Sequence, residues 1–228
     1  MEGRLFTFLG SIGGHGQEWI ILSHFVLVVG IIFLIARSAT KRLQLVPTGS
    51  QNVMETFIGG VISVGADTMG EKNARRYMPL IASLALVIVC SNLIGVIPGF
   101  ESPTANINFT LSLALIVFVY YNYLGIKENG FINYFKHFMG PMPILAPLMF
   151  PIEIISHISR IVSLSFRLFG AIRGDDMFLM VLLMLTPWIV PLSGFFMLTA
   201  FGVLQAFVFA ILTYVYIAGS IMMSEEDH

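Results

Sequence analysis

Residues 19–36, WIILSHFVLVVGIIFLIA, run for eighteen positions without a charged side chain. As an α-helix at about 1.5 Å per residue the run is about 27 Å long, close to the roughly 30 Å of hydrocarbon in a bilayer. Lipid offers no partner for backbone N–H and C=O groups, so a chain that buries such runs there must satisfy them inside helices or closed barrels. Apolar residues here come in blocks and do not alternate with polar ones, so an all-α integral membrane protein is expected. Composition agrees. Of 228 residues, 57% are hydrophobic and 11% charged, and mean hydropathy is +0.87, whereas soluble domains carry about a quarter charged residues. The formal net charge is −1 and no basic run exceeds two residues, which excludes nucleic acid as a partner. Membrane lipid is the surrounding phase. The single Cys90 can form no intrachain disulfide and is expected to act as a small buried hydrophobe. No cofactor or metal is expected.

The chain reads as one membrane domain over residues 1–228. Its first 18 residues lack the basic start, apolar stretch and cleavage site of a secretory signal, and are expected to form an outer N-terminal segment, with insertion through span one, residues 19–36. Residues 37–78 carry Arg37, Lys41, Arg42, Lys72, Arg75 and Arg76 around a stretch, VMETFIGGVISVGADTMG, whose loosely helical pattern predicts a helix along the membrane surface. Residues 79–126 form a helical hairpin, its two spans being 79–98, opened by Pro79, and 109–126. Between them PGFESPTANIN lacks Lys and Arg. Lys127 and Lys136 follow the third span, so the positive-inside rule puts both basic loops in the cytoplasm and the N-terminus outside. A bacterial inner membrane, or an organelle-encoded protein, is the expected setting.

Residues 141–223 resist this simple scheme. Between Pro151 and Pro187 no proline intervenes, and as one helix this stretch would be roughly 52 Å long. With 192–223 it predicts two long, strongly tilted or broken helices joined through TPWIVPLSG, for about five membrane helices plus the interfacial one. The first of the pair also carries charge. On an ideal helix Glu153, His157, Arg160 and Arg167 fall within an arc of roughly 80°. Asp175 extends the stripe, while Arg173 and Asp176 point away from it. A charge at mid-bilayer costs at least about 3 kcal/mol, so the stripe should face water or a partner. Arg167 has the least scope to snorkel outward; for His24 in span one a packed or interfacial role is expected.

PIEIISHISRIVSLSFRLFG and the later LQAFVFAILTYVYIAGSI resemble the two signature regions of subunit a of F-type ATP synthases, the ion-conducting stator subunit of their membrane sector. NLIGVIPG and SPTANINFTLSLAL match in order and spacing, and the resemblance covers roughly residues 75–223. It implies a non-catalytic translocation subunit working against a rotating ring of c subunits, with peripheral-stalk b subunits as further partners in the complex. It places the essential stator arginine at Arg167 and implies ion-path roles for Glu153, Ser163, Asp176, Gln205 and Asn92, with Gln205 near the arginine; Asp175 and His157, in the same charged stretch, are expected to join that path. Three positions depart from the family pattern: Ala171 stands where Asn is usual, Arg173 where an apolar or aromatic residue is usual, and Leu198 where some relatives have His. The competing readings are a secondary transporter with a substrate-binding arginine, which the lack of internal repeats disfavours, and a quinone-binding or structural respiratory subunit, for which no haem-ligand pair of histidines is present.

Overall fold

A computed structural model of the chain describes residues 17–41, 43–97, 99–130, 146–186 and 190–222. Residues 1–16, Lys136, Pro187 and the end of the chain from 223 lie outside the described residues, and with them most of the predicted outer N-terminal segment and part of the predicted turn between the long helices. Six α-helices make up the described chain: α1 (Gln17–Thr40), α2 (Ser50–Met69), α3 (Glu71–Gly95), α4 (Ile107–Asn129), α5 (Ala146–Leu185) and α6 (Val190–Met222), with a 3-10 turn at Pro103–Ala105. No strand occurs among the described residues, as an all-α membrane protein requires. Four helices, α1, α3, α4 and α6, are long and apolar enough to cross a membrane. Helix α5 is not among them, because Glu153, Arg160, Arg167, Arg173, Asp175 and Asp176 interrupt its apolar run.

Local chemistry sets the helix ends. Asn106 caps α4, its side-chain oxygen accepting from the Asn108 N–H at 2.9 Å, the usual service of Asn at an N-cap. Gly70 joins α2 to α3 at φ 80°, a conformation that costs a side-chain-bearing residue; its N–H closes α2 on Ala66 O and its C=O opens α3 by accepting from Ala74 N–H, both at 3.0 Å. Helix α3 therefore begins at Glu71, eight residues before the expected Pro79, which sits inside it. Pro79 and Arg75 are both exposed, so the carbonyl deprived of its helical donor is not sealed in the core. Helix α5 is unbroken over 40 residues, with Pro151 in its early turns. At about 60 Å it is twice the thickness of the hydrocarbon layer.

The main core lies where α3, α4, α5 and α6 meet over α2. Tyr77, Ile81 and Ile88 pack with Val117 and Tyr121, Leu164 and Leu168, and Phe209, Tyr214 and Ile217, while Val61 closes the side of α2. A smaller cluster of Val28, Cys90 and Ile94 attaches α1 to α3; Cys90 is buried with a free thiol. Most of α1 faces outward, including Trp19, Val26, Phe33 and Leu34, which suits a peripheral helix against lipid. His24 is buried, its ring nitrogen Nδ1 2.7 Å from Ile20 O and its edge on Phe100, a packed residue as its isolation in sequence implied.

Helix α2 reaches α6 through a missing side chain. A Cβ on Gly65 would fall 2.5 Å from the Tyr214 ring, and Tyr214 is fully buried with its hydroxyl donating to Ala74 O at 3.4 Å. Gly65→Ala should cost about 1–3 kcal/mol through overpacking and lower the amount of subunit held in assembled membrane complex. Gly59→Ala, where a Cβ meets nothing within 4 Å, should leave that amount at the parental level. Immunoblots of the purified complex make the comparison.

Candidate functional site

Helix α5 supplies the charged stripe, and its continuity keeps the ideal-helix spacing valid. The packed face of the helix, marked by His157, Leu164, Ser165, Leu168 and Ile172, overlaps one edge of the stripe and not the other. His157 turns into the protein, whereas Ser163 and Arg167 are exposed and Glu153 and Arg160 half-buried. The stripe straddles the boundary between core and open surface.

Arg167 lies near the middle of α5 and makes no hydrogen bond or ion pair with any described residue. Its surroundings on the open side are apolar or bare: Val162 and Phe166 are exposed, and a Cβ at Gly170 or Gly174 would meet nothing within 4 Å. The residue is held from behind. Ser165, two positions earlier and fully buried, shares a 3.1 Å hydrogen bond with Thr110 at the start of α4, and Leu164 and Leu168 anchor the same turns in the core. A guanidinium is thus presented outward from a fixed backbone.

Asn92 is buried near the end of α3 and hydrogen-bonded at both ends of its amide. Its Nδ2 donates to Gly202 O of α6 at 2.8 Å, and its Oδ1 accepts from the Thr104 hydroxyl at 2.6 Å. Ser102 continues the chain, 2.5 Å from Thr104 Oγ1 and donating to Ser91 O at 2.9 Å. Gly202 is bare where it meets Asn92, since a Cβ there would lie 3.0 Å from Asn92 Cβ. Gln205 is buried one turn beyond Gly202, so Asn92 engages the turn of α6 next to that of Gln205; no described contact joins Gln205 to Arg167.

Two further groups complete the picture. Asp175 and Asp176 are half-buried, and Arg173, Glu101 and Asp175 all lie within electrostatic reach of Asp176, which brings the acidic end of α5 to the loop between α3 and α4. On the opposite half of α5, Glu153 Oε1 is 3.5 Å from His157 Nε2. The other imidazole nitrogen, Nδ1, is 2.7 Å from the Tyr121 hydroxyl, with the two rings stacked. Arg160 sits over the Tyr216 ring of α6, 5.6 Å from its centroid. Sequence spacing alone reveals none of Tyr121, Thr104, Ser165 or Gly202, because each acquires its partner from a distant helix. The polar SPTANIN stretch, residues 102–108, is a local signal for Thr104 alone.

The family model for the ATP synthase A chain matches residues 19–218. The chain belongs to this family. It is 85% identical over 228 residues, all of both chains, to ATP synthase subunit a of Aliarcobacter butzleri (strain RM4018). Full-length similarity extends to ATP synthase subunit a of a Nitratiruptor species, 58% over 227 residues, all of both chains, and of Helicobacter hepaticus (strain ATCC 51449 / 3B1), 57% over 226 residues, 99% of this chain and all of the relative. The ATP synthase A chain match takes in every predicted site residue, and the chain is a membrane-sector component of an ion-transporting ATP synthase.

The Asn92 cluster makes a checkable claim about this family member. Asn92→Ala removes the donor to Gly202 O and leaves a buried Thr104 hydroxyl without its acceptor, a loss of about 1–3 kcal/mol. The purified complex should lose ATP-driven pumping at a temperature several degrees lower than the parent, and Asn92→Ala that withstands heating as well as the parent would show the cluster to be dispensable.

Proposed function

We propose that the chain carries ions, protons in the first instance, through two offset half-channels where it meets a rotating c-ring, with Arg167 as the fixed charge between them. The observation that carries this reading is the placement of Arg167: exposed at mid-helix, among apolar side chains, with no partner among the described residues. A lone cation in such surroundings is strongly disfavoured unless an anion or water meets it. A carboxylate on a passing ring subunit meets it transiently, and a second subunit is the one source of a partner that need not be present all the time.

The chemistry suits the task. A guanidinium remains charged and offers only donors, so it holds an electrostatic barrier without relaying the proton itself. It favours the ionised form of a carboxylate brought beside it and so promotes ion release. Glycines 170 and 174, with open space where side chains would stand, let another surface come close. The outer path then runs toward Asp175 and Asp176, near Glu101, with Asn92 and Gln205 on the intervening helices. The inner path runs along Ser163, His157 and Glu153. This orientation puts the N-terminus outside and the C-terminus in the cytoplasm of a bacterial inner membrane, where b subunits of the peripheral stalk would hold the chain against the ring's torque.

Arg167→Ala and Arg167→Gln should abolish ATP-driven pumping and ion-driven synthesis while the detached head still hydrolyses ATP. Arg167→Lys should fail or nearly fail, because a desolvated ammonium can surrender its proton. Synthesis near the parental rate in any of the three rejects the stator role.

The outer path has its own test. In a Cys90-free background, cysteines at 175 and 176 should react with a membrane-impermeant thiol reagent applied from the outer side, and the Asp175→Asn, Asp176→Asn double variant should slow ion flux without uncoupling it. Absence of outside labelling at both positions removes the pair from the path.

A further inference from the structure

His157 is 6% exposed and lies between a carboxylate and a phenol: Nε2 is 3.5 Å from Glu153 Oε1, and Nδ1 is 2.7 Å from the Tyr121 hydroxyl. The phenol is itself fixed. Tyr121 is 1% exposed, stacks on the imidazole at 5.7 Å and 21°, and packs against Phe118 and against Tyr216 of α6. Among the described residues, the titratable and charged groups facing the imidazole are Tyr121 from α4, Glu153 and Arg160 from α5, and Tyr216 from α6 behind Tyr121, with Arg160 drawn over the Tyr216 ring. Glu153 is the open end of the series, its side chain 31% exposed against 7% for that of His157.

Nε2 and Glu153 Oε1 face each other as an ion pair at 3.5 Å with no hydrogen bond between them in this arrangement; a slight approach of the carboxylate closes the series, which then has two hydrogen-bond patterns. An ionised carboxylate can only accept, so Nε2 must carry the imidazole proton, and Nδ1 then accepts from the Tyr121 O–H. A protonated carboxyl can donate to Nε2, and Nδ1–H then donates to the Tyr121 oxygen. The phenol serves both patterns because its oxygen donates and accepts; a phenyl ring serves neither. A second partner that fixes which imidazole nitrogen carries the proton is a known way of setting what the first nitrogen presents.

We propose that Tyr121 is a positioning residue for ion transfer, acting through His157 to hold an N–H toward the ionised Glu153 carboxylate on the cytoplasmic path. The inference rests on the reading of Glu153 as an ion-path residue. Tyr121 touches no ion in this scheme; it sets the imidazole, and the imidazole sets the carboxylate. When the phenol is lost the ionised carboxylate loses its fixed donor, and pumping needs a higher pH on the cytoplasmic side to reach half its maximum.

The experiment uses the whole ATP synthase in inverted membrane vesicles, whose outward face is the cytoplasmic one, and follows ATP-driven proton uptake against bulk pH. In Tyr121→Phe the acidic limb of the profile should move by about one pH unit toward higher pH, the scale of one neutral hydrogen bond, with the complex assembled in parental amounts. His157→Gln should move the limb as well, and Tyr121→Phe added to it should move it no further, since both act along one line. An unmoved limb in Tyr121→Phe, with or without a fall in assembled complex, overturns the proposal and leaves Tyr121 a packing residue. So do additive shifts in the double variant. Glu153→Gln separates the two levels: pumping at the parental rate removes Glu153 from the path and the proposal with it, whereas slowed pumping together with an unmoved Tyr121→Phe limb overturns the role of Tyr121 alone.

Discussion

A peptide group in hydrocarbon has no water to turn to, and that requirement shapes every described element of this chain. Each apolar run closes its hydrogen bonds within a helix, and connections such as Gly70 and the segment before Pro103 are short and tied by backbone bonds of their own. Once the backbone is satisfied, side chains decide the rest. Charges are withheld from residues 19–36 of α1, from the middle of α3 and from most of α4, and are concentrated on α5. The helix that breaks the rule of apolarity is also the longest, and it packs against both α4 and α6.

Energetically α5 is supported from one side only. Leu164, Ser165, Leu168 and Ile172 are buried, and the Thr110–Ser165 bond ties the turn next to Arg167 to a neighbouring helix. The open side carries large apolar residues, Ile155, Ile158, Val162 and Phe166. In a soluble protein such a surface would aggregate or find a partner. In a membrane it is an ordinary lipid- or subunit-facing surface, and the cost falls on the charges it borders, Arg167 above all.

Much of this is legible in the sequence, for a physical reason. Apolar block length and the 3.6-residue period are local properties, so the apolar helices over 19–36 and 109–126, the helical stretch within 37–78 and the stripe of Glu153, His157, Arg160 and Arg167 can be read directly. The early start of α3 escapes such a reading because Pro79 is as acceptable at a helix's first turn as it is costly inside, and what decides between them is Gly70, whose positive φ ends α2 and starts α3 at once. The inward turn of His157 escapes it because an 80° arc says which residues share a face, while only the packing of α4 says which half of that face is covered. Asn92 is legible as an unusual polar residue in a span, but its partners, Thr104 and the Gly202 carbonyl, are separated from it by 12 and 110 positions.

Gly202 and Gly65 together give α6 a mechanical character. Asn92 abuts the helix at 202, and at 214 its own tyrosine ring enters a slot cut into α2. Twelve residues separate the two engagements, about 18 Å along the axis. They act like two dowels set at different heights in one shaft: a single dowel permits swivelling, two forbid both swivel and roll. A helix keyed in this way can bear a sideways load without changing which residues it presents on its free face.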